Sequence, residues 1–246
     1  MRSLLLLIIF STTLISCKPS EKALTAQEII DKSIEVSGAN KISNSLLSFD
    51  FRDMHYIASR RNGEFRLIRV KKTKQGTRED ILSNSGFRRL VNAHQVMVPD
   101  SMAVKYSESI NSVHYFSVLP YGLNDDAVMK KLLEEKTIKG KEYYKVQITF
   151  KQEGGGIDYD DVFIYWIGKL DFKIEYLAYT YHVNGGGIRF REIRKEHLVN
   201  GVRFTDQNNY KPDHIDIDLK TLDQLFENNQ LKKVSEINLK NIEITF

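Results

Sequence analysis

The chain has 246 residues, 36 Lys and Arg against 32 Asp and Glu, and a formal charge of +4 with the two signs interleaved. That balance excludes the dense basic footprint of a nucleic-acid binder. A hydrophobic fraction of 41% with 11% aromatics and four prolines excludes a disordered stalk, and a single cysteine excludes an internal disulfide.

Met1 and Arg2 precede the apolar run that ends at Ser16. The run falls short of the roughly 20 helical residues needed to cross a hydrocarbon core of about 30 Å. It therefore reads as a secretory signal peptide over residues 1–16. Leu14-Ile15-Ser16-Cys17 resembles the bacterial lipobox. The Cys17 thiol would accept the lipid, and small Ser16 would fit beside the scissile bond. Lys18 stands where an aspartate would hold some lipoproteins at the inner membrane, so the expected address is the outer membrane of a Gram-negative envelope. Residues 17–24 read as the lipidated cysteine and its tether, and 25–246 as one domain.

That domain opens with a helix. Thr25-Ala26-Gln27-Glu28 is a capping box, Ile29, Ile30 and Ile34 follow at helical spacing, and Gly38 supplies the stop. The period then changes to two. Asn62-Gly63 is expected to join strands over 54–60 and 64–71 as a tight hairpin. Asp100 starts a helix through Ile110, Val113 and Phe116 that Pro120 stops, and Asn124 or Asp125 starts another with Val128, Met129, Leu132 and Leu133 on its apolar side.

Tyr144, Val146, Ile148 and Phe150 alternate with polar residues in a half-buried strand. The run 162–167 is apolar on both faces and reads as a central strand; 174–181 follows. The triple glycines 154–156 and 185–187 are turns. Asn200-Gly201 joins 188–199 to 202–210, Thr221 and Gln224 form a second capping-box pattern before Leu222, Leu225 and Phe226, and 237–246 is a strand with a phase slip near Lys240-Asn241. Long antiparallel strands with few helices imply an α+β fold, mostly antiparallel β: a single large curved sheet with helices packed on its concave side.

Leu119-Pro120-Tyr121-Gly122-Leu123-Asn124-Asp125, Gly154-Gly155-Gly156, Tyr176-Leu177-Ala178-Tyr179, Gly187-Ile188-Arg189-Phe190-Arg191 and Asn200-Gly201-Val202-Arg203-Phe204 resemble strings of an uncharacterised lipoprotein family of Bacteroidota. Through its fold pattern that family resembles the LolA-type half-barrel group of periplasmic lipid and lipoprotein binders. The resemblance implies a hydrophobic groove between sheet and helices.

Tyr165, Trp166, Tyr176, Tyr179 and Tyr181 fit either the lining of such a groove or ordinary cross-strand packing. A two-residue loop at Asn200-Gly201 pairs Lys195 with Asp206 and Arg191 with Tyr210, which would put Arg189, Arg191 and Tyr210 on one face to hold an anionic head group. The same face serves equally as solvated cross-strand pairs. His214, Asp216 and Asp218 repeat at period two and could offer ligands to a divalent metal, but one strand face does not enclose an ion without help from elsewhere; Asp158, Asp160 and Asp161 follow a triple glycine without the spacing of an EF-hand. With no catalytic motif and no cofactor fingerprint in the sequence, the expected role is non-enzymatic. It is a membrane-anchored protein that binds or carries a lipid, acyl chain or other hydrophobic ligand. The alternatives are an assembly lipoprotein that binds envelope proteins, and a hydrolase or lyase.

Overall fold

The structure is a computed structural model that describes residues 23–156, 159–182 and 185–246. Helix α1 (Ala26–Ser37) forms as expected. Thr25 Oγ1 accepts from the Glu28 backbone N–H at 3.2 Å, and the Glu28 carboxylate accepts from the Thr25 N–H at 2.7 Å. Gly38 ends the helix in the left-handed region at φ 65°, and a Cβ there would lie 2.0 Å from the Gly201 carbonyl oxygen. Glycine is therefore required twice over, by conformation and by close approach.

Two antiparallel sheets follow. The first comprises β1 (Ser45–Phe51), β2 (Met54–Arg61), β3 (Glu64–Thr73), β4 (Gly76–Ser83), β5 (Gly86–Val91) and β6 (His94–Val96) in sequence order, with β15 (Leu239–Thr245) beside β1. Helix α2 (Asp100–Ser117) then leads to the second sheet. It comprises β7 (Val128–Leu132), β9 (Lys141–Phe150), β10 (Phe163–Gly168), β11 (Ile174–Tyr181), β12 (Gly187–Val199), β13 (Val202–Lys211) and β14 (Lys232–Ile237), with the short β8 (Lys136–Ile138) also pairing β9. Helix α3 (Leu222–Glu227) lies between β13 and β14. Both Asn-Gly pairs sit in their hairpins, and all of β10 is buried, as a central strand requires.

The fold is mostly antiparallel β, and the curved surface is divided between two ladders. The division falls at Asn238. The expected strand over 237–246 breaks there, so that β14 closes the second sheet and β15 the first. Twist accumulates from strand to strand, and a surface this wide splits rather than continuing as one ladder. The phase slip is present as a bulge: Ser48 faces Glu243, Asp50 faces Lys240, and Asn241 has φ 50°.

The helix expected from Asn124 or Asp125 is absent; residues 128–132 are strand β7. Its spacing suited a helix, but Met129 is 44% exposed and Leu132 37%, so there was no apolar face to bury. The strand instead satisfies the backbone of β9, pairing Val128 with Phe150 and Leu132 with Val146. Thr221 also makes no side-chain cap. Its hydroxyl bonds the Asp218 carbonyl at 2.8 Å, and the Asp218 carboxylate caps the preceding 3-10 turn.

The second sheet is covered on both faces. On the inner face Val146, Ile148, Phe163, Tyr165, Leu177 and Tyr179 pack with Ile29 and Ile30 of α1 and Tyr115 and Phe116 of α2. On the outer face Tyr143, Ile164, Trp166, Tyr176 and Phe190 pack beneath Leu222 and Phe226 of α3. A buried pair pins α3 down: Lys145 Nζ lies 2.7 Å from the Asp223 carboxylate, which also accepts from Trp166 Nε1 at 3.1 Å. The first sheet is covered by helix on one face, where α2 crosses Phe49, Tyr56, Arg69 and Phe87.

Candidate functional site

Alternation along β10 and β11 separates the five aromatic residues singled out in the sequence. Tyr165 and Tyr179 are buried on the inner face, with Tyr181 half-buried beside them. Trp166 and Tyr176 are buried on the outer face under α3, where Trp166 bonds Asp223 and Tyr176 packs on Phe226. Residues one apart on a strand point to opposite faces, so only the inner three can wall a groove between the sheets.

The head-group set is likewise divided. The hairpin register holds from Val199–Val202 to Lys195–Asp206, then shifts at a bulge, so that Arg191 faces Asn209 and Tyr210 faces Phe190. Arg191 is thereby on the inner face and Tyr210 on the outer, where its hydroxyl donates to Glu192 at 2.9 Å and burial pushes it up to about 12. Tyr210 helps line a cleft of about 280 Å³ with Lys139 and Phe226. Arg189 is half-buried, with its guanidinium 4.9 Å from the Tyr181 ring and bonded to the Ile188 carbonyl.

Arg191 is the informative member. Buried at 8% exposure, it donates to Tyr179 Oη at 2.7 Å and Gln207 Oε1 at 3.1 Å, and its guanidinium lies 3.7 Å from the centre of the Phe116 ring. Its Nε has no partner, and among the described residues no carboxylate pairs with it. Beside it the Tyr115 and Tyr165 hydroxyls meet at 3.1 Å. Burial holds Tyr165 well above the usual tyrosine range and pushes Tyr115 up to about 12.

A second such group faces the same stretch of chain from the first sheet. Arg60 is 9% exposed, stacks on Tyr121 at 5.4 Å, leaves Nη1 without a partner, and forms no ion pair among the described residues. Burial pulls it below the usual arginine value. His114 of α2 is fully buried between Phe49 and Tyr56. Its Nε2 faces the Ile68 carbonyl at 3.3 Å, and Nδ1 is unpartnered. Desolvation, with the Arg60 charge adding to it, lowers His114 to about 3, so the ring is neutral.

These charges contrast with the rest of the α2 face. There Asp80, fully buried, bridges Arg69 at 2.8 Å and Arg89 at 2.5 Å, and Arg69 also donates to Ser109 of α2. The hydrogen bonds from both arginines outweigh burial and keep the Asp80 carboxyl below its usual range. Of the eighteen residues in α2, Ile110, His114 and Ser117 are buried, while Val113, Tyr115 and Phe116 pack half-buried against the two sheets.

Arg60 and His114 were not singled out from the sequence, although one signal was readable. Arg60 continues the inward phase of Tyr56 and Ala58, a position that ordinarily takes an apolar residue. The remaining polar candidates lie elsewhere. Residues 212–218 form no strand, and His214 and Asp216 are exposed. Asp160, Asp161 and His182 bring their ligand atoms within 4.8 Å at a turn, with His182 bonded to Asp161 at 3.1 Å. Cys17 and Asp158 lie outside the described residues, and no described helix is long and apolar enough to cross a membrane.

Two curved antiparallel sheets with helices packed against them form a LolA-like half-barrel fold. The chain matches the family of unknown function DUF6503 over residues 3–239 and belongs to it. Among solved structures, it is similar to a DUF1329 family protein from Desulfovibrio piger. The TM-score is 0.53 and the identity 10%, over 89% of this chain and 92% of the other. A LolA superfamily protein from Nitrosomonas europaea aligns at TM-score 0.50 and 11% identity, over 91% and 93%. No curated protein matches the chain.

Proposed function

We propose that this is an outer-membrane lipoprotein, tethered through Cys17, that holds an amphiphile with an anionic end in the inner groove while α2 acts as a displaceable cover. The carrying observation is the pair of buried guanidiniums, Arg60 and Arg191, that face residues 114–121 without a carboxylate partner. A buried charge without a counter-charge costs several kcal/mol. An anionic head group supplies that counter-charge, and bidentate guanidinium contacts suit it. Its apolar tail would take the place of Tyr115 and Phe116 against Phe163, Tyr165 and Tyr179. The LolA-like fold supports the same reading by analogy. The role is binding rather than catalysis: His114 faces a backbone carbonyl and not a carboxylate.

A titration with the fluorescent fatty acid cis-parinaric acid tests this. One molecule should bind per chain, and Arg191→Ala and Arg60→Ala should each weaken binding at least tenfold. Unchanged affinity in folded variants would place the ligand elsewhere. A second reading, an assembly protein that binds envelope partners, draws on the groove being filled by the protein's own side chains, with Tyr165 fully buried. The absence of any fatty-acid binding would favour it.

A further inference from the structure

The face of the first sheet opposite α2 carries a different arrangement. Arg61 of β2, Arg66 of β3 and Arg88 of β5 line one cleft of about 520 Å³, together with Ser59, Ser83 and Ser85. Ladder pairing explains the convergence: Ser59 faces Arg66, Arg66 faces Ser83, and Arg88 stands across from Ile81 on the adjoining row. All three arginines are exposed, and among the described residues none forms an ion pair. The Ser83 and Ser85 hydroxyls meet at 3.0 Å, and Asn84 ties the rim together by accepting from the Phe65 N–H at 2.8 Å and donating to the Gly63 carbonyl. Glu64 is the one acidic residue in the lining.

The charge of the whole molecule is concentrated in this sheet. Residues 45–96 hold eleven Lys and Arg against five Asp and Glu, a net of +6 in a chain whose total is +4. Arg60, Arg69 and Arg89 belong to the α2 face, but Arg61, Arg66 and Arg88 against Glu64 leave the cleft itself positive, and a cleft of one sign draws the opposite sign from solution. Three guanidinium forks and neighbouring hydroxyls offer more donors than a carboxylate can accept, whereas a phosphate can take bonds from several at once. The cleft also adjoins an aliphatic row: Ile57 faces Ile68 and Ile68 faces Ile81, with the first two half-exposed. A free phosphate has no use for that row, and the glycerol and upper acyl carbons of a phospholipid do.

We infer that the Arg61–Arg66–Arg88 cleft is a second binding site, for a phosphate-bearing lipid head group. It is separate from the inner groove by a full sheet thickness and independent of what that groove holds.

The test uses the full chain in a non-ionic detergent, titrated calorimetrically with dihexanoyl phosphatidylglycerol below its micelle concentration. Dihexanoyl phosphatidylcholine and inorganic phosphate are the comparison probes. Arg66→Gln combined with Arg88→Gln should weaken the phosphatidylglycerol affinity at least tenfold, and so should raising the salt from 0.05 to about 0.5 M, because exposed charges are screened over about 8 Å at physiological salt. Arg191→Ala should leave this affinity unchanged, which separates the cleft from the groove. Equal binding to the double variant would overturn the site. Inorganic phosphate binding as tightly as the lipid would overturn the head-group assignment in favour of a free anion. Binding abolished by Arg191→Ala would reassign the lipid to the inner groove.

Discussion

The two sheets solve the same problem in different ways. The second is aromatic and sealed: Tyr143, Tyr165, Trp166, Tyr176 and Phe190 are packed under helices on one face or the other, and its buried Lys145 is matched by Asp223. The first is charged and half-open, with helix on one face, arginines exposed on the other, and Arg60 buried without a match. Each sheet nonetheless carries one buried guanidinium without a carboxylate, Arg60 in the first and Arg191 in the second, so the two differ in how fully their faces are covered rather than in which of them can bind. α2 spans the two, packing on the first sheet through His114 and on the second through Phe116.

The comparison breaks most sharply at Asp223. Asp223→Ala should strand Lys145 in the outer core and cost about 3–5 kcal/mol, because removing one partner leaves an uncompensated buried charge; urea unfolding checks it. An equal loss of stability from Arg60→Ala would erase the distinction, since that change removes a charge that is already unmatched.

The next effect concerns acid. His114 has its folded pKa lowered from 6.5 to about 3, so the unfolded chain binds the proton first. The stabilising contribution of the neutral ring is complete above 6.5 and drains away as the pH falls toward 3. Between pH 7 and 5 the loss should be about 2 kcal/mol at 1.36 kcal/mol per unit, and His114→Gln should flatten that part of the profile. Asp80 adds to the loss at lower pH, since a carboxyl held below 3.8 stabilises above that value and fails as the pH drops beneath it.

Tyr165→Phe should cost about 1 kcal/mol, the value of one buried hydrogen bond whose partner, Tyr115, is left unsatisfied. Arg189→Ala should do least. The side chain is half-buried beside Tyr181 and bonded to the carbonyl of Ile188, so the change should alter stability by no more than about 0.5 kcal/mol and leave fatty-acid binding untouched, while Arg191→Ala weakens it at least tenfold.

Local signals carried much of the fold. The capping box at Thr25, both Asn-Gly hairpins, the doubly buried 163–168 strand and the bulge at Lys240-Asn241 were all legible because each is decided within a few residues. Residues 128–132 were not legible, because a free edge on β9 overrode their helical spacing. The same limit applied to the site. Arg191 was legible as a candidate, but the bulge that sends Tyr210 to the other face is a one-residue slip with no turn signal to mark it. Trp166 drew attention by its chemistry, although its position one residue after Tyr165 already assigned it to the opposite face. That Arg60 and Arg191 face one stretch of chain from different sheets is set by where residues 116–121 lie, and no local pattern encodes that.

The most direct test of the central claim is mass spectrometry of organic extracts from the protein purified out of its native envelope, comparing the natural sequence with Arg191→Ala. A single class of acidic amphiphile, near one per chain and reduced at least tenfold in the variant, is the expected result. A natural-sequence protein that is folded and free of any extracted lipid would contradict it.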